Sequence, residues 1–400
     1  MDRELSDLLA LVVRQRASTR AELARWTGLA RSTISQRVDR LLELGILIEA
    51  GGGLSSGGRP PMMLDINPAA GILLAADLGA SHARLAAASL SGQLEIERSF
   101  DIDIASGPGS VLAWVVGQFR ELLRECGRDE TDVRAIGVGV PGPVEFAAGT
   151  VVRPPIMPGW DGVSIREILS EDFAVPILVD NDVNIMGLGE YWSRGFAHEQ
   201  MLFIKVATGI GCGIVTEGHV HRGADGAAGD IGHVRVPARN DVVCTCGNVN
   251  CLEAVASGAA IARQLREEGI DASGPDDVVR LAQAGNGAAL RFVRVAAQSI
   301  GEVLAMLVNF YNPSHIVLGG ALAVLRDDLL AGIRGVVYQR ALPLATRHLS
   351  IDATAFESRA GVLGATILAT EGALSPIGLS DWARRGTSLP RSEARLAAGN

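Results

Sequence analysis

Aromatic side chains make up only 4% of the 400 residues, and cysteine occurs five times. Scarce aromatics leave the cores to aliphatic side chains. The 48 glycines point to many tight turns and close backbone approaches. The cysteines are odd in number, and three of them fall within residues 244–251. That pattern excludes a disulfide-stapled secreted scaffold and fits a reducing compartment and a metal. No apolar run reaches 18 residues: the best stretch, 303–318, is broken by Asn309 and by Asn312-Pro313, so no membrane span is expected. The opening MDRELSDLL carries acids where a secretory signal would be basic and then apolar. A cytoplasmic protein is therefore expected. Its net charge of -9 excludes a generic polyanion binder. At 48% hydrophobic residues the chain can fill more than one core, and its length predicts two to four domains.

The charge is uneven. Residues 1–60 hold nine Arg against seven Asp and Glu, so a slightly basic head precedes an acidic remainder. Leu5, Leu8, Leu9, Val12 and Val13 recur at helical spacing. Ser18 and Thr19 offer a cap with Glu22 three residues beyond, predicting a short helix over 20–26 that stops at Gly28. A further helix starts near Ala30, buries Ile34, Val38, Leu41 and Leu42, and stops at Gly45. Two helices joined by a short glycine-containing turn form a helix-turn-helix. Its second helix presents Arg31, Ser32, Thr33, Ser35, Gln36 and Arg37, types that suit base edges and phosphates in a major groove. Strands at 46–48 and 62–66 flank the loop GGGLSSGGRPP, which makes a wing and puts Arg59 in reach of a minor groove. The same pattern would also serve a plain three-helix packing unit; the basic head and the wing favour DNA.

From residue 71 the pattern changes to buried strands ending in polar, glycine-rich turns. Residues 71–76 run into Asp77-Leu78-Gly79-Ala80-Ser81, and 135–140 into Pro141-Gly142-Pro143. Residues 175–179 end in Asp180-Asn181-Asp182, and 201–206 open into Ala207-Thr208-Gly209-Ile210-Gly211-Cys212-Gly213. This is an α/β arrangement with its ligand site along one sheet edge. Asp77, Gly79 and Ser81, then Thr208, Gly209 and Gly211, offer two phosphate-facing loops, with Asp77 suited to a hydrated Mg²⁺. Gly319-Gly320 offers bare backbone to a flat ring. Each loop also reads as an ordinary tight turn. Asp182 at a strand end could take a proton from a substrate hydroxyl, with Asn181 bonding neighbouring hydroxyls. Asp180 stands beside them as a like charge.

His233, Cys244, Cys246 and Cys251 form a Cys₃His set, the donor chemistry of a closed tetrahedral zinc site. Such a site is structural and would pin the loop carrying Asp230 and Glu253, whose carboxylates could face a polyhydroxy ligand. Cys126 and Cys212 lack such partners.

Taken together these turns resemble the ROK family of sugar-responsive repressors and sugar kinases, over nearly the whole chain from about residue 5 to 370. The motifs are residues 77–81, 138–144, Asn181-Asp182 up to Gly189-Glu190, 208–213, 229–233, 244–253 and Gly319-Gly320. The resemblance implies an α/β fold in which a winged helix-turn-helix precedes a two-lobed actin/hexokinase-type, ribonuclease H-like body. It implies sugar contacts from Asn181, Asp182, Asp230, His233 and Glu253, with Asp182 catalytic if the protein is a kinase, and zinc on His233, Cys244, Cys246 and Cys251. The head is typical of the repressor branch, near the xylose and N-acetylglucosamine repressors. Ala80 and Ser81 stand where the family has Gly and Thr, Ala207 and Asn250 where it has Gly, and Asp230 where it has Glu.

The expected domains are a head over 1–66, lobes over 67–190 and 191–374, and a loose tail over 375–400 anchored at Trp382. The expected function is a sugar- or sugar phosphate-responsive repressor that binds an operator as a homodimer or homotetramer, away from membranes, with structural zinc. The alternative is an ATP- and Mg²⁺-dependent hexose or N-acetylhexosamine kinase.

Overall fold

The computed structural model describes residues 2–13, 17–52, 62–196, 198–237 and 241–385. Helices α1 (Asp2–Val13), α2 (Arg20–Thr27) and α3 (Arg31–Glu43) are followed by antiparallel strands β1 (Leu47–Gly52) and β2 (Met62–Ile66). α2 starts at its expected cap: Thr19 Oγ1 accepts the Glu22 N–H at 3.2 Å, and the Glu22 carboxylate accepts the Ser18 N–H at 2.9 Å. Gly28 closes α2 at φ 69°, a left-handed turn that costs glycine little. Leu5, Leu8, Leu9 and Val12 of α1 bury against Leu23, Ile34, Val38 and Leu41. Arg20 ties the unit together by pairing with Asp39 on α3 and Glu49 on β1. The three helices and the strand pair fit the expected winged helix-turn-helix. The tip between β1 and β2, with Arg59, lies outside the described residues.

The body repeats one topology twice. Strands β3 (Ile72–Leu78), β4 (His82–Ser89) and β5 (Leu94–Asp101) form an antiparallel meander. β6 (Val133–Val140) adds parallel to β3; a small hairpin of β7 (Val144–Glu145) and β8 (Thr150–Val151) intervenes; β9 (Ile177–Asn181) then adds parallel to β6. The order is β5-β4-β3-β6-β9. In the second lobe β10 (Gln200–Val206), β11 (Ile210–Thr216) and β12 (His219–Val220) form the meander, and β13 (His315–Gly319) and β14 (Ser350–Ala353) add parallel, giving β12-β11-β10-β13-β14. Every residue of β3 and β6 is buried, as continuous apolar runs covered on both faces should be. Ile72, Leu74 and Ala76 face the helix Pro108–Glu125, while Ala75 packs with Val362 and Ala365 of the helix Ala360–Ala373. Three helices, Gly258–Glu267, Pro275–Gln283 and Gly287–Tyr311, cover the second sheet, with breaks before Pro275 and at Gly285-Asn286. The 25-residue helix Gly287–Tyr311 is long and apolar enough to cross a membrane by composition, and half of its apolar window is buried in the body.

Two boundaries differ from expectation. The chain returns to the first lobe in the helix Ala360–Ala373, so the second lobe does not run to 374. That helix crosses the helix Asp182–Ser193 at backbone contact: a Cβ on Gly364 would strike the Ile185 carbonyl, and one on Gly189 the Ala360 carbonyl. The expected loose tail begins instead as a helix, Pro376–Arg385, packed on α1. Trp382 does anchor it, at 2% exposure and with the Arg134 guanidinium 4.7 Å over its ring. Residues 386–400 lie outside the described residues.

Candidate ligand cleft, metal cluster and nucleic-acid face

Asn181 caps the helix Asp182–Ser193: its side-chain oxygen accepts the Val183 N–H at 2.9 Å, while its amide donates to the Gly142 carbonyl at 3.0 Å. Asp182 is the first residue of that helix, where the helix dipole favours a carboxylate. Asp180 is the structural acid of the trio. It is 2% exposed, accepts from Asn184 Nδ2 at 2.8 Å and from Arg222 Nε at 2.7 Å, and Arg222 in turn lies over the Phe146 ring.

Lys205 is the residue the sequence reading passed over. Its ammonium meets Asp182 Oδ2 at 2.5 Å. Burial pulls the ammonium's pKa down, but Asp182, by charge and hydrogen bond, and then Asp77 more than offset this and raise it, so Lys205 stays cationic. Asp77, at the end of β3, is pushed up to about 7, first by burial and then by the charge of Asp182; Lys205 and Arg84 oppose the shift. Its carboxylate is wedged beside Gly361 and Gly139. The sign of Lys205 was visible in the sequence as a lone charge in the apolar strand MLFIKV.

The glycine loops pack mainly against the protein itself. Gly79 lies under the His82 ring, and Gly211 and Gly213 accommodate Val183 and its carbonyl. Gly319 meets the Phe203 ring and Gly320 the backbone of β10. Ser81 and Thr208 are exposed. Gly209 lies against the Glu253 carboxylate, which accepts the Ile210 N–H at 3.0 Å. Gly232 meets the Ile210 carbonyl, and Gly229, at φ 92°, lies against the Cys212 carbonyl. The start of β11 therefore gathers the segments bearing Asp182, Asp230, His233 and Glu253, with Asp230 exposed and His233 and Glu253 half-buried.

His233, Cys244, Cys246 and Cys251 each offer a ligand atom, all within 4.8 Å of one another. Cys244 Sγ is 3.6 Å from His233 Nδ1, and Cys246 Sγ is 3.6 Å from Cys251 Sγ. Zn–S bonds of about 2.3 Å and Zn–N bonds of about 2.1 Å at tetrahedral angles put such atoms roughly 3.6–3.8 Å apart. The four residues fit a metal ion. Asn250 takes a left-handed φ of 61°, which Asn tolerates, and its side chain accepts from Val242 N–H at 2.8 Å and donates to Asp241 at 3.1 Å. Cys212 is a buried strand residue, its thiol pushed up to about 12 by burial, and Cys126 caps the helix Pro108–Glu125.

On α3, Arg31, Ser32 and Gln36 are exposed, and Thr33, Ser35 and Arg37 are half-buried. Arg37 turns back to pair with Glu4 of α1 at 2.8 Å. The head meets the body through Ser6 Oγ, which donates to the Leu374 carbonyl at 2.6 Å, and through a shared core that includes Leu73, Ala135, Leu379 and Trp382.

Comparison with known proteins agrees with this geometry. The ROK family model matches residues 73–372. A putative xylose repressor of Caldicellulosiruptor sp. is 33% identical over 371 residues, covering 89% of this chain and 92% of its own. A glucokinase of Halalkalibacterium halodurans is 31% identical, covering 72% of this chain and 92% of its own. A crystal structure described as a ROK family transcriptional regulator, homolog of the E. coli MLC protein, superposes with a TM-score of 0.81 at 23% identity, over 96% of this chain and 99% of that one. This protein belongs to the ROK family.

Proposed function

We propose that the protein is a sugar-responsive transcriptional repressor: the head binds operator DNA, and the kinase-like body senses a sugar or sugar phosphate and controls the head. The observation that carries this reading is the joint between them. α1 packs on the helix Pro376–Arg385, and a single core runs from Leu8 and Leu9 into Leu73 and Ala135 of the first sheet. A change in the body thus has a solid route to the recognition helix, and the sugar acts by binding one arrangement more tightly than the other. Relatives named putative xylose repressor, xylose repressor and N-acetylglucosamine repressor, which cover 89%, 93% and 86% of this chain, support it.

In this reading Arg31, Ser32, Thr33, Ser35 and Gln36 meet DNA, with Arg37 and Arg59 at the edges. Asn181, Asp182, Asp230, His233 and Glu253 meet the sugar. Zinc on His233, Cys244, Cys246 and Cys251 holds the Asp230 and Glu253 loops in register; with four protein ligands it supplies rigidity, not an open catalytic position. A homodimer would present two heads to two half-sites. Free thiols and a DNA partner suit the cytoplasm.

The kinase alternative keeps one observation in its favour, Asp182 at the start of its helix between two glycine loops. One experiment separates the two. The zinc-loaded protein is titrated onto DNA from upstream of its own gene with a panel of sugars and sugar phosphates, and ATP consumption is followed on the same panel. Operator binding altered by one sugar without ATP turnover supports the repressor. Turnover abolished by Asp182→Asn, with no specific DNA binding, makes the protein a kinase.

A further inference from the structure

A cleft of this fold that transfers phosphate needs a divalent cation on the nucleotide's outer phosphates, beside the carboxylate that takes the hydroxyl proton. The residues here do not fit that cation. Lys205 rises from β10 with its ammonium on Asp182 Oδ2 at 2.5 Å, and the charges of Asp182 and Asp77 both act on it. A fixed cation therefore already lies among the acidic oxygens that a hydrated Mg²⁺ would need. A divalent ion brought beside it would meet like-charge repulsion and would have to compete for the same carboxylate oxygen. The second loop is closed in the same sense. The Ile210 N–H, an amide that could face a phosphate, is bonded to the Glu253 carboxylate at 3.0 Å, and that carboxylate lies against Gly209. A phosphate entering there would lose a donor and face a negative charge.

We infer that the Lys205 ammonium is a built-in substitute for the divalent cation, so that this cleft closes on its ligand without metal–nucleotide. The inference deepens the sensor reading proposed above and rests on it only for its biological consequence. It makes Lys205 a residue that fixes which ligands the cleft accepts: Asp182 is held as one half of an ion pair, presenting its remaining oxygen to a hydroxyl as an acceptor.

The test follows the aqueous Mn²⁺ electron paramagnetic resonance signal. MnCl₂ is titrated into the full-length zinc-loaded protein with and without the non-hydrolysable nucleotide AMPPNP. The wild-type protein is expected to take up no more Mn²⁺ than Lys205→Ala/Asp182→Asn does. Lys205→Ala, which leaves Asp182 uncompensated, gains one site at least about tenfold tighter than either. Lys205→Met, which keeps the length of the side chain, gives the same gain should alanine loosen β10. A wild-type Mn²⁺–AMPPNP site that Asp182→Asn removes would overturn the inference, whatever the variants do. So would a folded Lys205 variant, shown intact by circular dichroism, that gains no site. The assay contains neither DNA nor sugar. Its failure leaves the repressor reading standing, and a failure of operator binding leaves this inference standing.

Discussion

Trp382→Ala is the sharpest test of how the head is fastened to the body. The indole is 2% exposed, sits in the core shared by α1 and the first sheet, and lies under the Arg134 guanidinium at 4.7 Å. A buried Trp removes roughly 150–250 Å² from water. At about 25 cal/mol per Å² that is roughly 4–6 kcal/mol, an upper bound because the unfolded chain already hides part of it. Measured Trp and Phe truncations in cores cost about 3–5 kcal/mol, so a loss near 4 kcal/mol is expected. Arg134 limits how far the cavity can collapse, because its Nε is held by the Ala70 carbonyl at 2.8 Å. For a unit of 150–250 residues each kcal/mol moves Tm by about 2–4 °C, so the transition that includes the head should fall by about 8–16 °C. Ile377→Ala, on the same helix but 71% exposed, serves as the control and should stay within about 0.5 kcal/mol. The assay is scanning calorimetry with urea unfolding, and limited proteolysis shows whether the head is released. A Trp382→Ala loss below about 1 kcal/mol, or one equal to that of Ile377→Ala, would refute the claim that this side chain fastens head to body.

Cys251→Ser should cost the protein its metal, measured by elemental analysis, and raise protease cleavage within 230–253; an unchanged metal content would show that the cluster is not the site. Arg222→Ala leaves Asp180 buried without its cation and should destabilise by about 3–5 kcal/mol in urea, whereas a loss under 1 kcal/mol would mean that water reaches Asp180. Asp77 titrates near 7 when folded and near 3.8 when unfolded. The folded state therefore binds the extra proton between those values, and stability falls as pH rises from about 4 to 7, then levels. Asp77→Asn should remove that slope, gaining on the wild type by up to ~4 kcal/mol above pH 7; a constant difference across pH 4–8 would contradict the shift. Arg31→Ala should weaken DNA binding and lower the salt dependence by about one ion, provided that Arg31 meets a phosphate.

The elements legible in the sequence were those set by local chemistry. Thr19 and Glu22 marked the start of α2, Gly28 its end, and the apolar runs of β3, β6, β9 and β10 showed as such. The grouping of His233 with Cys244, Cys246 and Cys251 was legible because three thiols and a histidine leave few alternative uses. What spacing could not give were relations across the fold. Asn181 and Asp182 were both read as ligand contacts, and the sequence did not show that Asn181 also caps its own helix, accepting the Val183 N–H and giving one of its two amide hydrogens to the Gly142 carbonyl. Lys205 and Asp182 are 23 residues apart, on a strand and a helix that meet only in the folded chain, where β10 and β11 both pack on that helix. The glycines at 211, 213, 319 and 320 suggested ligand contact, and the fold uses them for its own close packing. The helix Pro376–Arg385 was missed because its apolar positions, Leu379 and Trp382, face a partner 370 residues away in sequence.

The most direct test of the central claim is the binding of the zinc-loaded protein to upstream DNA of its own gene, measured by fluorescence anisotropy at several salt concentrations against a panel of sugars and sugar phosphates. Tight, salt-sensitive binding is expected, shifted by one sugar about tenfold or more, about 1.4 kcal/mol of coupling, with no ATP consumed. Specific DNA binding that no sugar alters, or sugar-dependent ATP turnover without specific DNA binding, would contradict it.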